Sequence, residues 1–201
     1  MKRTKYHALE TKHSILDASL EIFSEKNYSS VTVAEIAKKI GMTKGAVYWH
    51  FRNKEDILVK IIENFYSSAD SGSISADTAP QNIDGLRARH KTALAMFTEN
   101  ARYCKTQKLM LHCYEWPEKL QQRVFDIIRF TDKKEAGVIE ELLRKAQEIG
   151  QLRMDFDTQE VAVLISSVFH GLRILQMSDL LPGDFARQTD FLFNAFEKGM
   201  R

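Results

Sequence analysis

Between residues 32 and 53 the chain carries a helix start, a helix stop and two further helix starts, and this spacing most restricts what it can fold into. Thr32-Val33-Ala34-Glu35 fits a capping box, in which a hydroxyl and a carboxylate satisfy each other's backbone N–H groups. Gly41 stands where a helix closes on a left-handed residue, and Thr43 offers another N-cap two residues on. Residues 32–51 therefore read as helix, tight turn, helix. Val33, Ile36, Ala37 and Ile40 form one buried stripe, with the small Ala37 admitting the second helix. Val47 and Phe51, four apart, face inward, while Lys44 and Tyr48, also four apart, share another face with Thr43 and Gly45 at its N-terminal end. Asn53 caps the following helix, "KEDILVKIIENFY".

The remaining pattern is helical throughout, and the fold class is all-α. Proline occurs only at Pro80, Pro117 and Pro182, each a break between helices, and no segment alternates apolar and polar as a strand would. An amphipathic first helix spans 10–26, carrying Ile15, Leu16, Leu20, Ile22 and Phe23. The Ser/Ala/Asp-rich stretch 67–82 reads as a flexible connection. Five helices follow, over about 84–102, 106–114, 117–149, 158–177 and 184–199. The expected organisation is a three-helix domain over 1–54, a connecting helix and linker over 55–82, and a larger helical domain over 83–201. With 201 residues, 44% of them hydrophobic, such a chain buries an ordinary globular core. The most apolar stretch, "VAVLISSVF", is half the length of a membrane span, and the basic start lacks the apolar core of a signal peptide, so a cytoplasmic location is expected.

Charge is asymmetric. Residues 1–54 hold ten Lys/Arg against five Asp/Glu, a charge of +5, so the other 147 residues sum to −3 in a chain of net +2. One basic end on a slightly acidic body suits a polyanionic partner. The second helix of the pair presents the end that enters a major groove, where helix N–H groups favour phosphate and Gly45 lets the backbone come close. Tyr48, Trp49 and His50 add donors and flat rings for phosphate, sugar and thymine methyl. Two of these have competing roles inside the fold: Trp49 packing on the next helix, and His50 capping the carbonyl end of its own helix. Lys54 sits in a first helical turn, where a cation opposes the dipole unless an anion such as phosphate lies near.

"VTVAEIAKKIGMTKGAVYWHFRNKEDIL", residues 31–58, resembles the DNA-binding signature of the TetR family of transcriptional regulators, and "GAVYWHF" is similar to the form in its AcrR-like multidrug-efflux repressors. That resemblance implies a homodimer presenting two recognition helices to successive major grooves of operator DNA, and a larger C-terminal domain that binds a small-molecule effector and dimerises. It places Thr43, Lys44, Gly45, Tyr48, Trp49, His50 and Lys54 at DNA, and Thr32 at a phosphate-contacting cap. Where Trp49 stands, the family commonly has a small residue or Tyr.

Two helices of the larger domain are apolar enough to need partners. Val161, Leu164, Ile165, Val168 and Leu172 on one, with Phe191, Ala195 and Phe196 on the other, fit the four-helix dimer interface that the resemblance implies; intrachain core is the alternative. Met96, Phe97, Met110, Trp116, Phe125 and Phe169 suit an adaptable pocket for a lipophilic effector, with His112 and Arg173 as orienting polar groups, and each singly also suits ordinary core. For an enzyme, the sequence offers no H-E-x-x-H, G-x-S-x-G, phosphate-binding glycine loop or Cys-x-x-Cys, so no cofactor and no metal are expected. Cys104 and Cys113 read as reduced, packed thiols, with a redox-responsive regulator as the variant reading. A helical protein-interaction adaptor would leave Lys44, Gly45, Tyr48 and Lys54 without a role.

Overall fold

Each helix start anticipated between residues 32 and 53 is made by the side chain expected to make it. Thr32 Oγ1 accepts from the Glu35 N–H at 3.2 Å, and the Glu35 carboxylate accepts from the Thr32 N–H in return. Thr43 Oγ1 accepts from Ala46 N–H at 3.2 Å and Asn53 Oδ1 from Asp56 N–H at 2.8 Å. Gly41 takes φ +66°, and the Met42 N–H reaches back to the Ala37 carbonyl at 2.9 Å, closing the helix before it. The computed structural model describes residues 2–67, 80–177, 180 and 185–200, with the side chains of 2–5, 94, 96–99 and 177 outside the description.

The helices are α1 (Lys2–Glu25), α2 (Val33–Lys39), α3 (Lys44–His50), α4 (Lys54–Ser67), α5 (Ile83–Glu99), α6 (Ala101–Leu111), α7 (Glu118–Glu148), α8 (Thr158–Met177) and α9 (Phe185–Met200), with 3-10 turns at Tyr28–Ser30 and Cys113–Glu115. Among the described residues no strand occurs, and no helix is long and apolar enough to cross a membrane. α1 starts eight residues before the expected Glu10, because its first turns have no apolar face to read: Tyr6 and Leu9 are exposed. The break after α5 falls at Asn100 rather than near Thr106, since Asn100 Oδ1 accepts from Tyr103 N–H at 3.0 Å and starts α6 there. Most of the expected linker, residues 68–79, lies outside the described residues.

The chain forms two compact units, Met1–Phe65 with Lys105–Ile127, and Tyr66–Cys104 with Ile128–Arg201. They are not the contiguous stretches expected from sequence. Residues 105–127 join the first unit because Trp116, 3% exposed, lies 6.3 Å from the Tyr28 ring, which itself stacks on Phe23 at 5.9 Å. That unit's interior also includes Ile15, Leu16, Ile36, Val47, Phe51, Ile57, Leu58 and Ile62.

In the second unit, Leu86 of α5, Ile139 and Leu143 of α7, Ile165 and Phe169 of α8 and Phe193 of α9 form one buried cluster. Ion pairs Arg87–Glu197 and Lys91–Asp190, both 2.6 Å, join α5 to α9. α7 ends on Gly150 at φ +74°, and Asp157 caps α8 through the Gln159 and Glu160 N–H groups at 2.8 and 3.1 Å.

Candidate nucleic-acid interface

α3 is held from beneath by Val47, wholly buried, and by Phe51 just beyond its last turn, 6% exposed. Once those two are inward, the 100° step of a helix fixes the rest. Tyr48 is 45% and Trp49 75% exposed, and Lys44 and Gly45 are exposed at the N-terminal end. The Lys44 ammonium stands 5.6 Å over the Tyr48 ring, so charge and ring form one outward unit. Thr32 and Thr43 are exposed while their oxygens accept cap bonds, which leaves each hydroxyl hydrogen directed elsewhere.

Gly45 is the telling position. A Cβ built there would meet only Thr43 Oγ1, at 3.9 Å, an ordinary contact. Nothing among the described residues requires glycine there, although glycine in a helix costs about 1 kcal/mol relative to alanine.

Both competing roles fail. Trp49 does not pack on the next helix, and its ring meets His50 edge-on at 4.6 Å. Neither ring nitrogen of the half-buried His50 has a hydrogen-bond partner among the described residues. Burial, and secondarily the Lys12 ammonium, hold the His50 pKa below the usual imidazole value, so the ring is neutral at pH 7.

Lys54 differs from its expected place. Its Nζ donates to the carbonyls of Tyr28 (2.7 Å), Ser29 (3.1 Å) and Val31 (2.9 Å) and lies 4.3 Å over the Tyr28 ring. The anion that the dipole argument called for is this set of carbonyl oxygens, and the ammonium has no fourth hydrogen for a phosphate. Burial lowers its pKa, with Glu55 opposing. The Lys54 side chain thus fixes the 3-10 turn onto α4.

Of the eight residues expected around an effector, the six whose side chains are described are divided between the two units. Trp116 is core of the first unit, Phe125 lies 5.7 Å from the Tyr114 ring, and Met110 is half-buried in the same unit. His112 is exposed and contacts Glu115 at 3.1 Å. Phe169 is core of the second unit, 3.8 Å from the His90 ring and 5.6 Å from Phe193. The side chains of Met96 and Phe97 lie outside the described residues.

Arg173 sits among several polar groups, and sequence reasoning missed most of them. His170 Nδ1 lies 3.3 Å from its guanidinium. Burial works to lower its pKa but is outweighed by Tyr103, Glu135 and Tyr66. Burial raises the Glu135 carboxyl against the pull of Arg173 and Arg89, and raises Asp132 against His170 and Arg173. Burial and Arg173 lower His170. The sequence signal was available: Arg173 is the only Lys, Arg, Asp or Glu from 161 to 177, and Asp132/Glu135 and His170/Arg173 are each three apart.

Of the expected dimer residues, Leu164 (56% exposed) and Phe191 (74%) face outward, with Ala195 exposed and Val168 half-buried. Ile165 is buried in the intrachain cluster, and Val161, Leu172 and Phe196 pack against it, so the core alternative holds for these four. Val163, Ile174 and Leu175, which sequence reading passed over, complete the exposed stripe on α8.

A sequence profile described as "Bacterial regulatory proteins, tetR family" matches residues 15–61. The chain is 26% identical to the HTH-type transcriptional regulator TtgR of Pseudomonas putida, over 94% of this chain and 93% of that protein. It is 47% identical to the HTH-type transcriptional regulator AcrR of Shigella flexneri, over 31% of this chain and 29% of that one. Among solved structures, the SmeT–triclosan complex superposes with a TM-score of 0.72 at 25% identity, covering 94% of this chain and 90% of that one. NalD, the secondary repressor of the MexAB-OprM multidrug efflux pump in Pseudomonas aeruginosa, superposes at 0.80 with 18% identity, covering 97% and 98%.

Proposed function

The chain belongs to the TetR family of bacterial transcriptional regulators, and from that premise we propose that it is a cytoplasmic homodimeric repressor of the kind that governs multidrug efflux. Its α3 helices read the two halves of a partly palindromic operator, and a small, lipophilic effector releases it. One observation carries the DNA-reading part: an outward face of Lys44, Gly45, Tyr48 and Trp49 on a capped helix, with a glycine that its own fold does not need. Thr43 and Thr32 supply hydroxyls beside that face, and His50 a neutral imidazole at its far end. Lys54 acts behind it, by holding backbone.

Repression and effector release are supported by relatives: SmeT was solved with triclosan, and NalD and BepR are named as repressors. Phe169 and Arg173 are the expected effector contacts whose side chains are described in the second unit, with Tyr103, Glu135 and His170 as polar neighbours of Arg173. An effector that binds one subunit geometry better than another lowers operator affinity by that same difference.

Selection of bound sequences from a random duplex library, repeated over a salt series, tests the reading. Enrichment of an inverted repeat whose binding falls steeply with salt is the expected result. A folded, dimeric protein that enriches nothing, with or without triclosan as a trial effector, would sink it.

A further inference from the structure

Beside the recognition helix the first unit carries a second polar feature, an open groove of about 260 Å³ walled by α1, the end of α3, α4 and the start of α7. It is smaller than the roughly 300–1,000 Å³ of drug-sized pockets, and charged residues dominate its lining. Four cations line it, Lys12, Arg52, Lys60 and Arg123, against two carboxylates, Asp56 and Glu63. The carboxylates are already engaged: Arg123 pairs with Asp56 at 3.4 Å and Lys60 with Glu63 at 2.9 Å. Lys12 and Arg52 are left with no ion-pair partner among the described residues, and Lys12 instead rests its ammonium 5.5 Å over the Phe51 ring. The groove therefore carries two uncompensated positive charges next to His50.

We infer that Lys12, Arg52 and His50 form an anion site that receives a backbone phosphate of the operator, flanking the contacts made by Lys44, Tyr48 and Trp49. This rests on the operator-binding reading above, and it adds two residues, Lys12 and Arg52, which neither the helix-turn-helix pattern nor the outward face of α3 contains. A diester oxygen between the two cations neutralises the excess charge, and the neutral imidazole supplies an N–H without a proton having to be taken up. Arg52 follows α3 directly through Phe51, so the site lies at the edge of the reading face.

The test compares the full-length wild type, the Lys12→Gln/Arg52→Gln double variant and a Lys145→Gln control for duplex binding across a salt series. One phosphate per protomer predicts that the log–log salt slope falls by about 1.8 in the double variant, at about 0.9 per phosphate over two protomers. The control, on the far part of α7, keeps the wild-type slope. An unchanged slope in a double variant that still binds duplex overturns the operator assignment alone, whereas absence of duplex binding by the wild type counts against the operator reading. A second arm separates the sources: His50 ring resonances followed during titration with inorganic phosphate. A shift seen in the wild type and lost in the double variant identifies a free-phosphate site where the slope arm fails, and no shift together with no slope change overturns the site.

Discussion

Gly45 and Lys54 pull stability and DNA binding apart, in opposite directions. Gly45→Ala places a methyl at ordinary contact distance and removes the conformational penalty of a helical glycine, so it should stabilise the first unit by about 0.5–1 kcal/mol. The same methyl stands on the reading face and should weaken operator binding at least tenfold. Chemical denaturation beside fluorescence anisotropy on a labelled operator checks both, and unchanged affinity would show that the α3 N-terminus does not approach DNA closely. Lys54→Met behaves in reverse order. It strips three carbonyls of their charged donor and should cost about 2 kcal/mol of stability. A Lys54 that served only as a phosphate contact would leave stability untouched while lowering affinity. The exposed place of Gly45 near the start of α3 is legible from residue type and spacing. Lys54 was not legible in the same way, because its partners lie 23 to 26 positions upstream, on a turn whose direction no local pattern encodes.

At the scale of elements, helix boundaries were readable wherever a short-range bond sets them. The bonds of Thr32, Thr43, Asn53, Gly41 and Gly150 each span five residues or fewer, and each was visible as a residue type at a fixed offset. Convergence was unreadable: Trp116 looked like a pocket aromatic, since nothing near it in sequence announces the Tyr28 ring that covers it. His90 on α5 is another case. Its Nδ1–H donates to the Leu86 carbonyl at 2.8 Å and its ring lies against Phe169 and Phe193, so it joins α5 to α8 and α9 as a neutral group. Burial, with smaller contributions from Arg173 and Arg89, pushes its pKa down to about 4, against the bond to Leu86. The unfolded chain takes up this proton near pH 6.5 and the folded chain only near 4. His90 therefore lends its full stability above pH 6.5, and that stability drains as the pH falls toward 4, by about 3 kcal/mol in all. Denaturant unfolding from pH 7 to 4 should show this loss in the wild type and a flatter profile in His90→Asn. Parallel profiles would assign the acid sensitivity to the ion-paired carboxylates Glu21 and Glu35, whose pKa values are lowered by Lys39 and Lys26.

For the whole molecule, the decisive quantity is whether the outer stripe of α8 and α9 is covered by a second chain. Val163, Leu164, Ile174, Leu175 and Phe191 leave apolar side chains in water, while Gly171, whose added Cβ would meet nothing within 4 Å, and Ala195 keep the stripe low between them. Burying a leucine or phenylalanine is worth about 1.5–3 kcal/mol, and two-fold symmetry doubles every residue covered. Leu164→Glu with Phe191→Glu should therefore convert a dimer into a folded monomer, because neither side chain contributes to the intrachain cluster. Ile165→Glu, one position away on the same helix, should unfold the second unit instead, since that side chain is 1% exposed in its core. Sedimentation equilibrium separates the two outcomes, with circular dichroism reporting the fold. The monomer should bind an inverted-repeat duplex about 10²–10⁴ times more weakly than the dimer, having lost the second recognition helix and its effective concentration, while a single half-site is bound equally by both. A double variant that stays dimeric would move the interface off this stripe, and a monomer that retains full operator affinity would mean that two chains meet on the DNA rather than before it.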